Sequence, residues 1–147
     1  MDEKIINKTI QDVLDLLGIT GTFDIANSSE QIDVVLDTPE SGMVIGYHGE
    51  VLEALQLILA LSLAKKTGTF TRVSVDVGDY KKNRTEYLEN LARQTKEKVL
   101  SEQKEFSLSG LKSWERRIIH TALTEDSEVL SESVGEGRER TLIIRPR

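Results

Sequence analysis

The sequence predicts an α+β protein made of two small domains, and three observations carry that prediction. Formal charge divides along the chain: residues 1–79 hold five Lys/Arg against thirteen Asp/Glu, a balance of −8, whereas residues 80–147 hold fourteen against twelve, a balance of +2. Helical and strand periodicities alternate through both halves, with no Pro/Gly/Ser-rich linker between them. A pair of glycines three apart, Gly46 and Gly49 in "VIGYHGEVLEAL", stands at the head of a long apolar helix. A chain of 147 residues accommodates one domain or two small ones.

In the first half, Ile5, Ile6, Ile10, Val13, Leu14 and Leu17 recur at helical spacing and Gly18 stops the run. "TFDIAN" and "IDVVLD" alternate around "SSEQ" and read as a hairpin. Pro39 opens a short helical turn that ends at Gly46. Glu50 to Lys66 is a helix closed by Gly68. Its apolar stripe is expected at Val51, Leu52, Leu55, Ile58 and Leu59, flanked by Leu61 and Leu63. Leu57 falls outside that stripe beside Ala60 and Ala64, and these three mark a candidate protein interface. "FTRVSVDV" completes the half as a strand in which Phe70 joins three valines as an apolar contributor. The order is αββααβ.

The second half restarts at "GDY", with Asp79 as the expected N-cap of a long helix to about Leu100 that buries Leu88, Leu91, Ala92, Thr95 and Val99. "EFSLS" is a short strand. Ser113 is the expected cap of "WERRIIHTAL", whose buried side is read as Leu111, Trp114, Ile118, Ile119 and Ala122. "SEVLSESV" and "RERTLIIR" form a hairpin across "GEG". The order is αβαββ, which places the domains at residues 1–79 and 80–147.

Composition narrows the function classes. There are no cysteines, so neither a disulfide framework nor thiolate chemistry is available. The N-terminal "MDEKIINKTIQDVL" is acidic and amphipathic, unlike a secretory signal. The longest apolar stretch, residues 55–64, is about half of a bilayer span. A soluble, cytoplasmic chain is expected. Two histidines in separate halves and no carboxylates at metal-ligand spacing supply neither a zinc site nor an acid–base pair, so no catalytic residue, metal or cofactor is expected.

Backbone N–H groups at a helix N-terminus, with glycines allowing close approach, suit a sugar-phosphate backbone. As a bare pattern Gly-x-x-Gly also fits an ordinary tight turn. The middle residues are Tyr47 and His48, so the loop carries no fixed positive charge, and Glu50 and Glu53 follow it. Tyr47 can stack on a base or pack on its own surface; His48 can donate to a phosphate or stay solvated. Downstream, Arg116, Arg117 and His120 share the exposed side of "SWERRIIHTAL", with Arg116 and His120 one turn apart. Three donors on one face read either as a binding surface or as a solvated helix face.

"VIGYHGEVLEAL", placed after a hairpin and before a strand, resembles the signature of type II KH domains. That resemblance implies a three-stranded sheet with helices on one face and a nucleic-acid-facing loop at Gly46, Tyr47, His48 and Gly49, although members usually carry a basic residue in the middle of the loop. "WERRIIH" resembles the core of the domain named for Arg, three residues and His (R-3-H), which binds single-stranded nucleic acid; "DYKKNR", "SESVGEG" and "RTLIIRP" extend the match. The two domains in this order resemble the bacterial Jag family, also called SpoIIIJ-associated or KhpB proteins, over roughly residues 20–147. Many members carry a further N-terminal domain and basic linker, for which this sequence has no counterpart. The resemblance puts Arg116 and His120 at the signature pair with Arg117 beside them, Lys81, Lys82 and Arg84 at the start of the preceding helix, and Arg138 and Arg140 around the last hairpin. It implies single-stranded RNA as ligand, a small separate KH-domain protein as partner, and post-transcriptional control linked to cell elongation and division. Arg116 is either a ligand contact or a brace of the fold. A protein-interaction adaptor with little RNA affinity is the alternative, favoured by the acidic first half.

Overall fold

The computed structural model describes residues 2–147. The chain divides into two compact units, one up to Lys81 and one from Lys82 to Arg147.

Helix α1 (Glu3–Leu16) starts at Asp2, whose carboxylate accepts the Lys4 N–H at 2.9 Å. This side chain satisfies one of the helix's orphan donors. The helix buries Ile6, Ile10 and Leu14, spaced four apart. Strands β1 (Thr22–Asn27) and β2 (Gln31–Asp37) pair antiparallel, and β3 (Arg72–Val77) lies parallel to β2, giving the order β1-β2-β3. The register places Ile32 by Val73, Val34 by Val75 and Leu36 by Val77, all buried, while Asp33, Val35 and Asp37 point to water. One face of the sheet is therefore core and the other is solvated. Helix α2 (Ser41–Ile45) ends at Gly46, a 3-10 turn (Tyr47–Gly49) follows, and α3 (Glu50–Thr67) packs back on the sheet. Gln56 fastens α3 to the sheet edge by accepting the Val75 N–H at 2.9 Å.

Helix α3 differs from its sequence reading. Its buried residues are Leu52, Leu55, Leu59, Ala60 and Leu63, whereas Val51, Ile58 and Leu61 are exposed. The helix is apolar all round, so the sequence pattern has no phase to select the inward face. In the expected interface, Leu57 is exposed, Ala60 is buried and Ala64 is half-buried. Phe70 is exposed and precedes β3.

Helix α4 (Tyr80–Glu102) starts in the last two residues of the first unit and, in the second, buries Leu88, Ala92, Thr95 and Val99. The expected N-cap Asp79 has left-handed backbone (φ 59°), and the first-turn N–H of Lys81 is accepted instead by Asp76 Oδ1 at 3.3 Å. Strands β4 (Phe106–Leu108), β5 (Val129–Val134) and β6 (Thr141–Pro146) form an antiparallel sheet in the order β4-β6-β5. Helix α5 (Ser113–Leu123) lies against β5. Lys112, not Ser113, is its N-cap, and the Lys112 N–H is accepted by Glu115 Oε1 at 2.9 Å. Ile119 and Leu123 are its buried apolar residues, while Ala122, expected inside, is exposed. No helix among the described residues is long and apolar enough to cross a membrane.

Candidate nucleic-acid interface

The Gly-x-x-Gly loop is fixed by its own backbone. Gly46 has φ 71°, and a Cβ there would collide with the Val51 side chain. Gly49 has φ 77°, and a Cβ would lie 2.8 Å from the Tyr80 hydroxyl oxygen. Both positions therefore need glycine for conformation and for space. Between them His48 adopts left-handed backbone (φ 50°) and the Gly49 N–H returns to the Gly46 carbonyl at 3.3 Å. Tyr47 is 73% exposed, and its ring stacks on His48 with centroids 3.9 Å apart and planes 21° from parallel. The two rings form an outward aromatic surface with no fixed charge. Glu50 and Glu53 in the first turn of α3 favour the helix dipole and oppose an anion at the same place. Lys81, at the end of this unit, is half-buried with its ammonium bonded to Ser74 Oγ on β3.

The second unit sorts its cations into two groups. Arg84 Nε donates to Glu115 Oε2 at 2.5 Å, with the two side chains only 12% and 1% exposed. The Arg84 guanidinium also lies 4.9 Å from the Tyr87 ring centroid. Arg116 folds back over the start of its own helix, donating to the Leu111 carbonyl at 2.5 Å and to Ser113 Oγ at 3.2 Å. Both arginines are thus hydrogen-bonded within the unit. The side chains of Lys82, Arg117, Arg138 and Arg140, in contrast, are exposed and have no hydrogen bond or ion pair among the described residues. Lys82 is on α4 and Arg117 on α5, while Arg138 and Arg140 belong to the β5–β6 turn.

His120 is held rather than free. Its Nδ1 lies 2.6 Å from Ser131 Oγ on β5, a contact that leaves Nε2 as the ring's remaining polar atom. Glu115 and Ser131 are the residues that reading the sequence missed. Glu115 stands at the third position of α5, where a carboxylate reaching back to the N-cap N–H is recognisable from sequence. Its second partner, Arg84, is 31 residues away and has no local signal. Ser131 is a buried serine on the inward face of an edge strand, and no sequence pattern pairs it with a histidine.

A separate polar knot closes the second unit. Lys96 on α4 contacts Asp126 at 2.5 Å and Glu128 at 3.8 Å. The hydrogen bond from Lys96, followed by that from the Glu128 N–H, holds the Asp126 carboxyl below the usual carboxylate range. The same hydrogen bond raises the Lys96 ammonium above the usual lysine range.

Comparison with known proteins agrees with this division. Residues 3–77 match the family described as KhpA/KhpB, KH domain, and residues 86–146 match the R-3-H domain. The chain is 35% identical over 117 residues to a protein named RNA-binding protein KhpB from Clostridium symbiosum, covering 80% of this chain and 53% of that one. It is 31% identical over 130 residues to the protein of that name from Bacillus subtilis, covering 86% and 62%. For the one from Streptococcus pneumoniae serotype 2 the identity is 30% over 135 residues, covering 92% and 41%. The matched segments thus span about half the length of these relatives. By the match across its first unit, and by the domain that follows it, the chain belongs to the KhpA/KhpB family of KH-domain proteins and carries an R-3-H domain as its second part.

Proposed function

We propose that this chain binds single-stranded RNA and acts in post-transcriptional control linked to cell elongation and division, without catalysis. Its domains are residues 1–79 and 80–147, it works in the cytoplasm, and a small separate KH-domain protein is its partner. The observation that carries the binding reading is the set of unpaired, exposed cations Lys82, Arg117, Arg138 and Arg140 on the second unit. Unpaired cations are what a phosphate backbone replaces counterions on. The shared name of the relatives, RNA-binding protein KhpB, supports the same ligand. The loop at Gly46 to Gly49 contributes an aromatic surface and backbone donors, and His120 contributes a directed ring nitrogen.

Fluorescence anisotropy on a labelled single-stranded RNA tests this. Four neutralised phosphates give a slope of log affinity against log salt of about −3. Arg117→Ala with Lys82→Ala reduces affinity about tenfold at low salt and flattens the slope by about 1.4. Binding that ignores both salt and these substitutions overturns the reading. The adaptor alternative rests on the −8 balance of residues 1–79 and the uncharged loop. It is the conclusion if wild type and variant bind equally poorly.

A further inference from the structure

Strand β5 places Ser131 on its buried side, on the same face as Val129 and opposite the fully buried Ile144 of β6. A serine at such a position costs free energy unless its hydroxyl is hydrogen-bonded. Its partner is the His120 ring on α5, with Nδ1 and Oγ 2.6 Å apart. Among the described residues, neither Ser131 Oγ nor the His120 ring makes another hydrogen bond. The contact has two possible polarities. If Nδ1–H donates to Oγ, the Ser131 hydroxyl proton needs a second acceptor, and none of the described residues accepts it. If the hydroxyl donates to Nδ1, one bond satisfies both groups and the proton of the uncharged ring resides on Nε2. With Ser131 only 8% exposed, burial favours the second arrangement.

We infer that Ser131 is a positioning residue for RNA: its hydroxyl donates to His120 Nδ1 and fixes the ring as the Nε2–H tautomer, which donates to an acceptor oxygen of the bound strand. This rests on the reading of the second unit as an RNA-binding surface. Nε2 lies across the ring from Nδ1, so a ring anchored to a buried strand residue holds its donor away from the core. His120 itself is exposed, and so is Arg117, three residues earlier and a neighbour on the surface of α5. Arg117 supplies charge without direction, and His120 supplies direction without a fixed charge. Phosphate oxygens and base carbonyls share the acceptor chemistry that an N–H selects. The exocyclic amines of bases, which are donors, are refused at this position.

Long-range proton–nitrogen NMR of the full chain at about pH 8, above the ordinary histidine value, reads the tautomer without any substitution. The His120 signals are expected to show a protonated Nε2 and a bare Nδ1. A proton on Nδ1 overturns the proposal. In Ser131→Ala the ring signals are expected to move to the averaged positions of a histidine in an unstructured peptide. Fluorescence anisotropy on short oligoadenylate and oligouridylate measures the consequence. Ser131→Ala weakens binding about fivefold, the worth of one directed hydrogen bond, and Ser131→Thr, which keeps the hydroxyl, restores it. In a His120→Ala background Ser131→Ala costs nothing further, because Ser131 acts through the ring. Equal losses on both RNAs put the acceptor on phosphate; a loss confined to oligouridylate puts it on the base carbonyls, which adenine lacks. Losses that add in the double variant, or a Ser131→Ala variant with wild-type affinity, overturn the proposal and leave the RNA reading intact. Wild type that binds neither RNA overturns that reading, and the proposal with it.

Discussion

The loop of the first unit and helix α5 of the second both present donors to solvent, but they do so by opposite means. The loop is shaped by what its glycines lack: Gly46 and Gly49 leave room for Val51 and Tyr80, and the exposed product is a Tyr47–His48 stack without fixed charge. Helix α5 is shaped by what its charges hold. Arg84 and Glu115 are sequestered together and Arg116 is hydrogen-bonded to the helix start, so that Arg117 alone among these arginines reaches water unpaired. Adjacent arginines thus do different work. A count of positive charge on this helix overstates what is available to a ligand.

The largest expected effect comes from breaking the hidden pair. Glu115→Ala leaves Arg84 partly buried without its carboxylate and frees the Lys112 N–H. Removing one partner of a buried pair costs about 3 kcal/mol, more than replacing both. Urea unfolding is expected to show a lowered midpoint for Glu115→Ala and a smaller loss for the double variant Arg84→Met/Glu115→Met. Equal losses make the pair dispensable to the brace.

The matching experiment on the loop is Gly49→Ala. The new methyl meets the Tyr80 hydroxyl and the backbone stays at φ 77°, so a destabilisation of about 2 kcal/mol is expected. Gly49→Ala combined with Tyr80→Phe recovers only the steric part. Thermal melts of the three proteins separate crowding from backbone conformation.

How far each region was legible follows the range of the interactions. The element order, the hairpins and the turn glycines are local and appear in the sequence. The face of α3 does not, because Leu and Ala surround that helix and the period carries no phase. Asp76 rather than Asp79 receives the Lys81 N–H because Asp79 sits in left-handed backbone, a conformation the sequence "GDY" does not announce. The Arg84–Glu115 and His120–Ser131 pairs join separate elements, and only the fold brings them together.

A smaller effect is expected at the Lys96–Asp126 knot. The Asp126 carboxyl titrates below its ordinary value, so its contribution is present above pH ~4 and disappears as pH falls through the lowered value. Asp126→Asn retains an acceptor for the Glu128 and Val129 N–H groups but loses the charge. The variant is expected to be less stable than wild type at pH 7 and equal to it once both are strongly acidified. A gap that persists in acid assigns the effect to packing instead.

The smallest expected effect returns to the loop. Tyr47 and His48 are stacked on each other, so a base that stacks on Tyr47 meets a surface already half satisfied. Neither residue offers a fixed charge, and Glu50 follows directly. Tyr47→Ala with His48→Ala is therefore expected to weaken single-stranded RNA binding less than threefold, with an unchanged salt slope. Set beside the tenfold loss for Arg117→Ala with Lys82→Ala, this ranks charge on the second unit above stacking on the first. A loop variant that loses more than the arginine variant reverses the ranking. It makes the aromatic pair, and not the free cations, the principal contact.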